Sequence, residues 1–208
     1  MAVTRFCEQP DLLHVGGTKD PDIAAIVRLA PDVVVVDEEE NRREDADALR
    51  AAGLDVHVLA VRAVADVAPA LAGLRERLGL PAEPSAELPP PRPTTRTAFV
   101  PIWRRPWMAL GGDTYGTSLL EHLGVGNVFA DRADATRYPE VTLAHATARR
   151  PDLVLAPSEP YPFAARHRPE LGAVASVVVL VDGQDLFWWG ERTPRALVRL
   201  GAVLDGLD

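Results

Sequence analysis

Apolar and polar positions along the chain draw the same figure twice. Between Pro21 and Asn41, Ile23, Ile26 and Val27 fall at helical spacing, Pro31-Asp32 interrupts them, four valines (Val33 to Val36) follow, and the run ends in the acidic stretch Asp37-Glu38-Glu39-Glu40. Between Val141 and Tyr161 a short helix again runs into Pro151-Asp152, then an apolar strand from Leu153 to Ala156, then the loop Pro157-Ser158-Glu159-Pro160-Tyr161. Aligning Pro31 with Pro151 gives an offset of 151 − 31 = 120 residues, too long for a solenoid period and suited to a small lobe repeated. Ligands of open parallel sheets bind beyond the carboxyl ends of the strands, so the two echoed loops are expected to face one another across a cleft.

The rest of the pattern fills in the lobes. A helix is predicted over 20–29 and a strand over 33–36, buried on both faces as in a parallel sheet. Asn41 and Glu44 stand at capping-box spacing and open a helix through Ala52, ended by Gly53; a strand follows over 56–61. Val64, Val67, Leu71, Leu74 and Leu78 recur at intervals of three and four, an amphipathic helix stopped by Gly79. The prolines between Pro84 and Pro93 forbid a continuing helix and make a stiff connector. Beyond it come a strand over 97–102, helices over 116–123 and 142–149, strands over 153–156 and 177–181, and a last helix. That helix is expected to start with Thr193 as cap ahead of Pro194, with Leu197, Leu200 and Leu204 as its apolar stripe. The fold class is α/β: two Rossmann-like lobes with parallel sheets joined by a linking helix. The boundaries are an amino-terminal lobe over 1–62, a linking helix with its Pro-rich connector over 63–96, and a carboxy-terminal lobe over 97–208.

Composition narrows the chemistry. With 208 residues and 47% hydrophobic content the chain has the core of an ordinary globular protein. A net charge of −8 argues against nucleic acid as a partner, because phosphate binding needs clustered Lys and Arg. Cys7 is the single cysteine, so no internal disulfide forms. The start of the sequence has no basic segment leading into an apolar core, and no apolar run nears the ~20 residues of a membrane span. As written, the chain is expected to be cytoplasmic, without membrane insertion; a true start further upstream would make it exported.

Three loops carry the candidate site. Trp103, Arg104, Arg105 and Trp107 interleave flat rings with guanidinium groups, which stack on rings and fork onto carboxylate or phosphate. Glu159, Tyr161 and Phe163 set one carboxylate beside two aromatics, and Trp188 belongs to a third aromatic cluster. Glu39, Glu40 and Asp113 complete the ligand-binding candidates. Each has a plainer reading: aromatics that pack the lobes together, glutamates in a solvated loop that favours the next helix through its dipole, and arginines paired to that loop. His14, His57, His122, His145 and His167 lack metal-ligand spacing and read as surface or supporting histidines. Ser118 and His122 share a helix face without a nucleophile elbow, so no catalytic residue is assigned.

With these residues in place the chain resembles the class III periplasmic binding proteins, the helical-backbone metal receptors that capture vitamin B12, haem or ferric siderophores for ABC importers. The resemblance rests on Gly16-Gly17-Thr18-Lys19 before Pro21-Asp22, the two Pro-Asp strand entries, Asp37 to Arg42, Asp113-Thr114 and Leu123 to Asn127. It implies a substrate-binding protein whose strand-end loops, around Glu39, Trp103, Tyr161 and Trp188, hold a corrinoid, a metal chelate or a similar small molecule. Departures are the missing signal peptide, a missing first strand and helix, and a short linking helix. The acidic residues that such receptors present to a permease fall at Ala24 and Ala144, so ABC permease docking is not expected here. Two other readings stand beside this one: a cytoplasmic enzyme on the same fold acting on an anionic small molecule through Glu39 or Asp113, and an interaction module whose open sheet edge is completed by a partner chain.

Overall fold

A computed structural model describes residues 2–3, 11–131 and 136–207. The chain forms two compact units, Met1–Ala60 and Val61–Asp208; Cys7 lies outside the described residues.

In the first unit β1 (Ala2–Val3) pairs in parallel with β2 (Leu13–His14). After it come α1 (Ile23–Leu29), β3 (Val34–Asp37), α2 (Arg43–Ala51) and β4 (Val56–Leu59), with β3 and β4 parallel and paired from Val34 with Val56 to Asp37 with Leu59. The valine run is not buried on both faces as expected. Val36 is 8% exposed, but Val35 on the other face is 41% exposed and Val58, the partner of Val36, is 40% exposed, so neither face of this two-stranded sheet is fully covered. The expected Asn41 cap on α2 is also absent. The Asn41 amide turns back instead, its Oδ1 accepting from the Asp37 N–H at 2.9 Å and its Nδ2 donating to the Thr18 carbonyl at 3.1 Å.

The second unit opens with α3 (Val64–Arg77), the linking helix. Its first turn is held by the Asp66 carboxylate, which accepts from the Ala63 N–H at 2.8 Å, and by Ser118 Oγ, which accepts from the Val64 N–H at 3.1 Å. Val64 and Val67 face inward, so the helix packs on this unit's core. Past Gly79 (φ 65) the chain runs without regular structure to β5 (Arg96–Phe99). It is tied down by Arg92 to Asp205 at 2.6 Å and by His122 Nε2 donating to the Pro89 carbonyl at 2.7 Å, which gives Ser118 and His122 structural tasks.

Then follow β6 (Pro101–Trp103), β7 (Trp107–Ala109), α4 (Tyr115–His122), β8 (Val125–Asn127), β9 (Glu140–Val141), α5 (Leu143–Ala148) and β10 (Leu153–Pro157). A 3-10 turn leads to α6 (Arg168–Leu171), β11 (Val177–Val181), α7 (Gly183–Phe187) and α8 (Thr193–Asp205). The main sheet is parallel, in the order β11-β10-β5-β8. Alternate residues leave opposite faces of a strand, and here both faces are covered. Leu153 and Leu155 join Leu119, Leu120, Leu197 and Leu200 on one side, while Val154 and Ala156 join Phe99, Ala146 and Leu171 on the other.

Two features depart from the expected pattern. The predicted strand 97–102 breaks in two, and β6 leaves the main sheet to form a separate antiparallel sheet with β7 and β9. Thr193 is the first residue of α8 rather than its cap, because its hydroxyl is engaged elsewhere, accepting from the Gly190 N–H at 3.2 Å and lying 2.9 Å from the Tyr115 hydroxyl.

The 120-residue echo survives as geometry. Asp22 caps α1 through the Ala25 N–H at 2.8 Å and Thr142 caps α5 through the His145 N–H at 3.0 Å. Each helix is followed by a left-handed residue, Ala30 (φ 43) or Arg150 (φ 52), immediately before Pro-Asp and the strand.

Candidate functional site

Among the described residues, the most exposed tryptophan, Trp103, sits on the β6–β7 hairpin. Trp103 pairs with Met108 and Pro101 with Ala109, and Arg105 at φ 69 takes the left-handed conformation that lets so short a connection reverse. The two tryptophans of the hairpin part company. Trp107 folds inward, its ring stacked on Phe163 at 6.0 Å and 8°, and Phe163 is itself 5% exposed. Trp103 stays 43% exposed, with Tyr161 edge-on to it at 5.7 Å and 78°. Phe163 and Trp107 thus back the patch from inside, while Trp103 and Tyr161 form its outer surface. The loop carrying Tyr161 is fastened at both ends of its turn. The Tyr161 N–H donates to the Ile102 carbonyl at 3.3 Å, and Ser158 Oγ accepts from the Gly183 N–H at 3.0 Å. Glu159 lies half-buried in this loop, its backbone against Gly183.

Charge separates the adjacent arginines. Arg104 reaches Glu170 with Nε at 2.9 Å and lies 5.9 Å from the Trp107 ring centre. Its bond to the Tyr161 hydroxyl and then to Glu170 hold its guanidinium pKa above the ordinary value. Arg105 is exposed at the hairpin tip and has no partner among the described residues. Beneath the patch His167 is 5% exposed, its Nδ1 accepting from the Ala164 N–H at 3.0 Å and its Nε2 3.5 Å from the Tyr161 hydroxyl. Burial, then the charges of Arg166 and Arg104, push its pKa down. The ring is therefore neutral at pH 7, with its proton on Nε2 facing the tyrosine oxygen.

The remaining candidates are held by other partners. Trp188, 38% exposed, closes α7 with the Arg192 guanidinium 5.4 Å from its ring centre. Arg192 also meets Asp185 at 3.3 Å, and Arg199 grips the same carboxylate with Nε at 2.7 Å. Asp185 is 3% exposed, and its bond to Arg199 above all lowers its pKa. Asp113 sits at φ 54 with its carboxylate 2.9 Å from Arg62 and 4.0 Å from Arg137. Its loop is pinned from below by buried Asn127, which donates to the Leu110 carbonyl at 2.9 Å and to Thr117 Oγ1 at 2.8 Å. In the first unit the acidic loop is an ordered turn. Asp37 accepts from the N–H groups of Glu39 at 2.8 Å and Glu40 at 3.1 Å, and Lys19 donates to the Glu39 carbonyl at 2.7 Å. Glu39 is half-buried and Glu40 exposed.

Sequence reasoning missed Glu170, Arg62, Arg137, Arg192 and the buried role of His167. Only the loop position of His167, six residues after Tyr161, hints at its place; the others meet their partners through the fold alone.

No protein-family profile and no curated protein matches the sequence. Solved structures do. The periplasmic vitamin B12 binding protein BtuF of Vibrio cholerae superposes with a TM-score of 0.73 at 17% identity, over 98% of this chain and 87% of that one. The periplasmic heme-binding protein BhuT, solved with two hemes, gives 0.75 at 20% identity over 99% and 88%. An ABC transporter substrate-binding protein from Listeria monocytogenes gives 0.69 at 15% over 93% and 84%. The chain has the fold of the class III periplasmic binding proteins, the helical-backbone metal receptors that its sequence resembles.

Proposed function

We propose that this chain is a substrate-binding protein of the ABC-transporter type, taking a flat metal chelate with acidic edges, haem-like or corrinoid, at its strand-end loops. One observation carries the reading: an exposed Trp103 ring braced by Tyr161, beside the uncommitted guanidinium of Arg105. A flat apolar face covers the rings, and each aromatic contact adds about 0.5–1.5 kcal/mol beyond area burial. An acidic substituent meets Arg105, which Glu170 does not neutralise. The ligands named for BtuF and BhuT, vitamin B12 and heme, support that class of cargo. Glu159 and Trp188, in the same unit as the hairpin, belong to the proposal as further ligand contacts.

The expectation of a cytoplasmic protein finds no support in BtuF and BhuT, whose names place them in the periplasm. Export is therefore part of the proposal, and fractionation of cells expressing the native gene tests it. Native mass spectrometry of the purified chain tests the function. A retained chelate of tetrapyrrole or siderophore mass is the expected result; a retained protein partner would favour the interaction module, for which the exposed Val35 and Val58 of the two-stranded sheet speak.

A further inference from the structure

Well away from the hairpin in sequence, the second unit contains a cavity of about 650 Å³ between α3, the connector and the segment before α8. That volume is in the range of small-molecule sites, roughly 300–1,000 Å³. Its wall is apolar where α3 supplies Val64, Val67 and Leu71, and the connector adds Leu80 and Leu88. Thr193, on the opposite wall, has its hydroxyl committed to Gly190 and Tyr115, so it offers a ligand no free polar group.

The charged groups around the cavity are unbalanced. Arg75 is the single cation, against Glu76, Glu83 and Glu191. Its charge is already spent within the wall, since Arg75 Nη2 lies 2.7 Å from Glu83 and its Nε donates to the Pro81 carbonyl at 2.9 Å. Glu76 and Glu191 have no partner among the described residues. An anion would meet two uncompensated carboxylates here, and a neutral molecule would leave them unused.

We propose that this cavity is a second binding site, for an organic cation with an apolar body, such as an alkyl or aryl ammonium, whose charge lies between Glu76 and Glu191. It shares no residue with the aromatic hairpin, so it takes its ligand independently of the chelate.

Benzyltrimethylammonium is the probe, titrated calorimetrically into the full chain. One saturable site is expected, with benzenesulfonate failing to bind or compete. E76Q/E191Q, a change of two exposed side chains, weakens binding about five- to tenfold with an unchanged circular dichroism spectrum. Leu71→Trp, which fills the cavity, removes binding. The site is refuted by an absence of saturable binding, by equal binding of benzenesulfonate, or by E76Q/E191Q that binds as the parent does. The double variant decides the matter even if Leu71→Trp fails to fold.

Discussion

Arg104 and Arg105 are neighbours with different work. Arg104 belongs to the protein, bonded to Glu170 and Tyr161, whereas Arg105 projects from the hairpin tip with its charge unspent. Arg105→Ala is therefore expected to weaken haemin binding about tenfold, the loss of one charge-assisted hydrogen bond, and to leave the melting temperature unchanged. An equal loss of stability would assign Arg105 a structural role instead. Two titrating groups, His167 and Asp185, give the chain a readable pH dependence. His167 has a folded pKa below its ordinary value of 6.5. As pH falls below that value the unfolded chain takes up a proton that the folded site refuses, so stability declines until the folded pKa is passed. Asp185 behaves alike at lower pH: its stabilisation is complete above the unfolded carboxylate range and disappears as pH drops through its depressed folded value. Melting temperature measured against pH should lose the first step in His167→Gln and the second in Asp185→Asn. At neutral pH Asp185→Asn should also cost about 2 kcal/mol in urea unfolding, since charged hydrogen bonds to Arg199 and Arg192 are lost.

The loop from Glu159 to Tyr161 owes its position to Gly183, the first residue of α7. A Cβ there would lie 2.7 Å from the Glu159 nitrogen and 2.8 Å from its carbonyl oxygen, and would also strike its Cγ. Gly183→Ala is thus expected to displace Tyr161 from Trp103 and reduce chelate affinity while the main sheet persists; crystallography of the variant shows the displacement directly. Elements of this kind were unevenly legible. Helix α3 and strands β10 and β11 follow from spacing alone, because the helix buries one apolar stripe and the strands are apolar on both covered faces. The echoed Pro-Asp strand entries were legible as a repeated pattern, whereas the caps Asp22 and Thr142 and the left-handed Ala30 and Arg150 that go with them emerge only in the fold. The hairpin was not. Its reversal depends on the backbone of Arg105, and β7 is completed by Val141 and Glu140, more than thirty residues onward. Polar side chains with rival partners misled in a different way: Asn41 and Thr193 have capping chemistry, but Asp37 and Thr18, or Gly190 and Tyr115, claim it. Within the site, the residue types Trp103, Arg105 and Tyr161 announced stacking and charge, whereas the neutralisation of Arg104 by Glu170 is a tertiary fact.

At the scale of the molecule, the fold is that of receptors named for vitamin B12 and heme, while the surface departs from what the family resemblance implies. Ala24 and Ala144 are each the second residue of their helices and both are exposed, at equivalent positions of the repeat. Where an acid is expected to meet a permease arginine, neither helix has an acidic residue in its first turn. Loss of one partner from an interfacial charge pair typically costs ~2–5 kcal/mol. The unmodified chain is accordingly expected not to bind an importer of this class held in nanodiscs, and A24E/A144E to gain binding; tight binding by the unmodified chain would overturn this. The central claim, that the chain receives a planar metal chelate on Trp103 and Tyr161 beside Arg105, is tested most directly by titrating the purified protein with haemin, cyanocobalamin and ferrichrome while following tryptophan fluorescence. The account predicts saturable quenching by at least one of them with a dissociation constant of about 1 μM or tighter, lost in Trp103→Ala. Quenching by none of the three, or quenching that Trp103→Ala leaves intact, would contradict it.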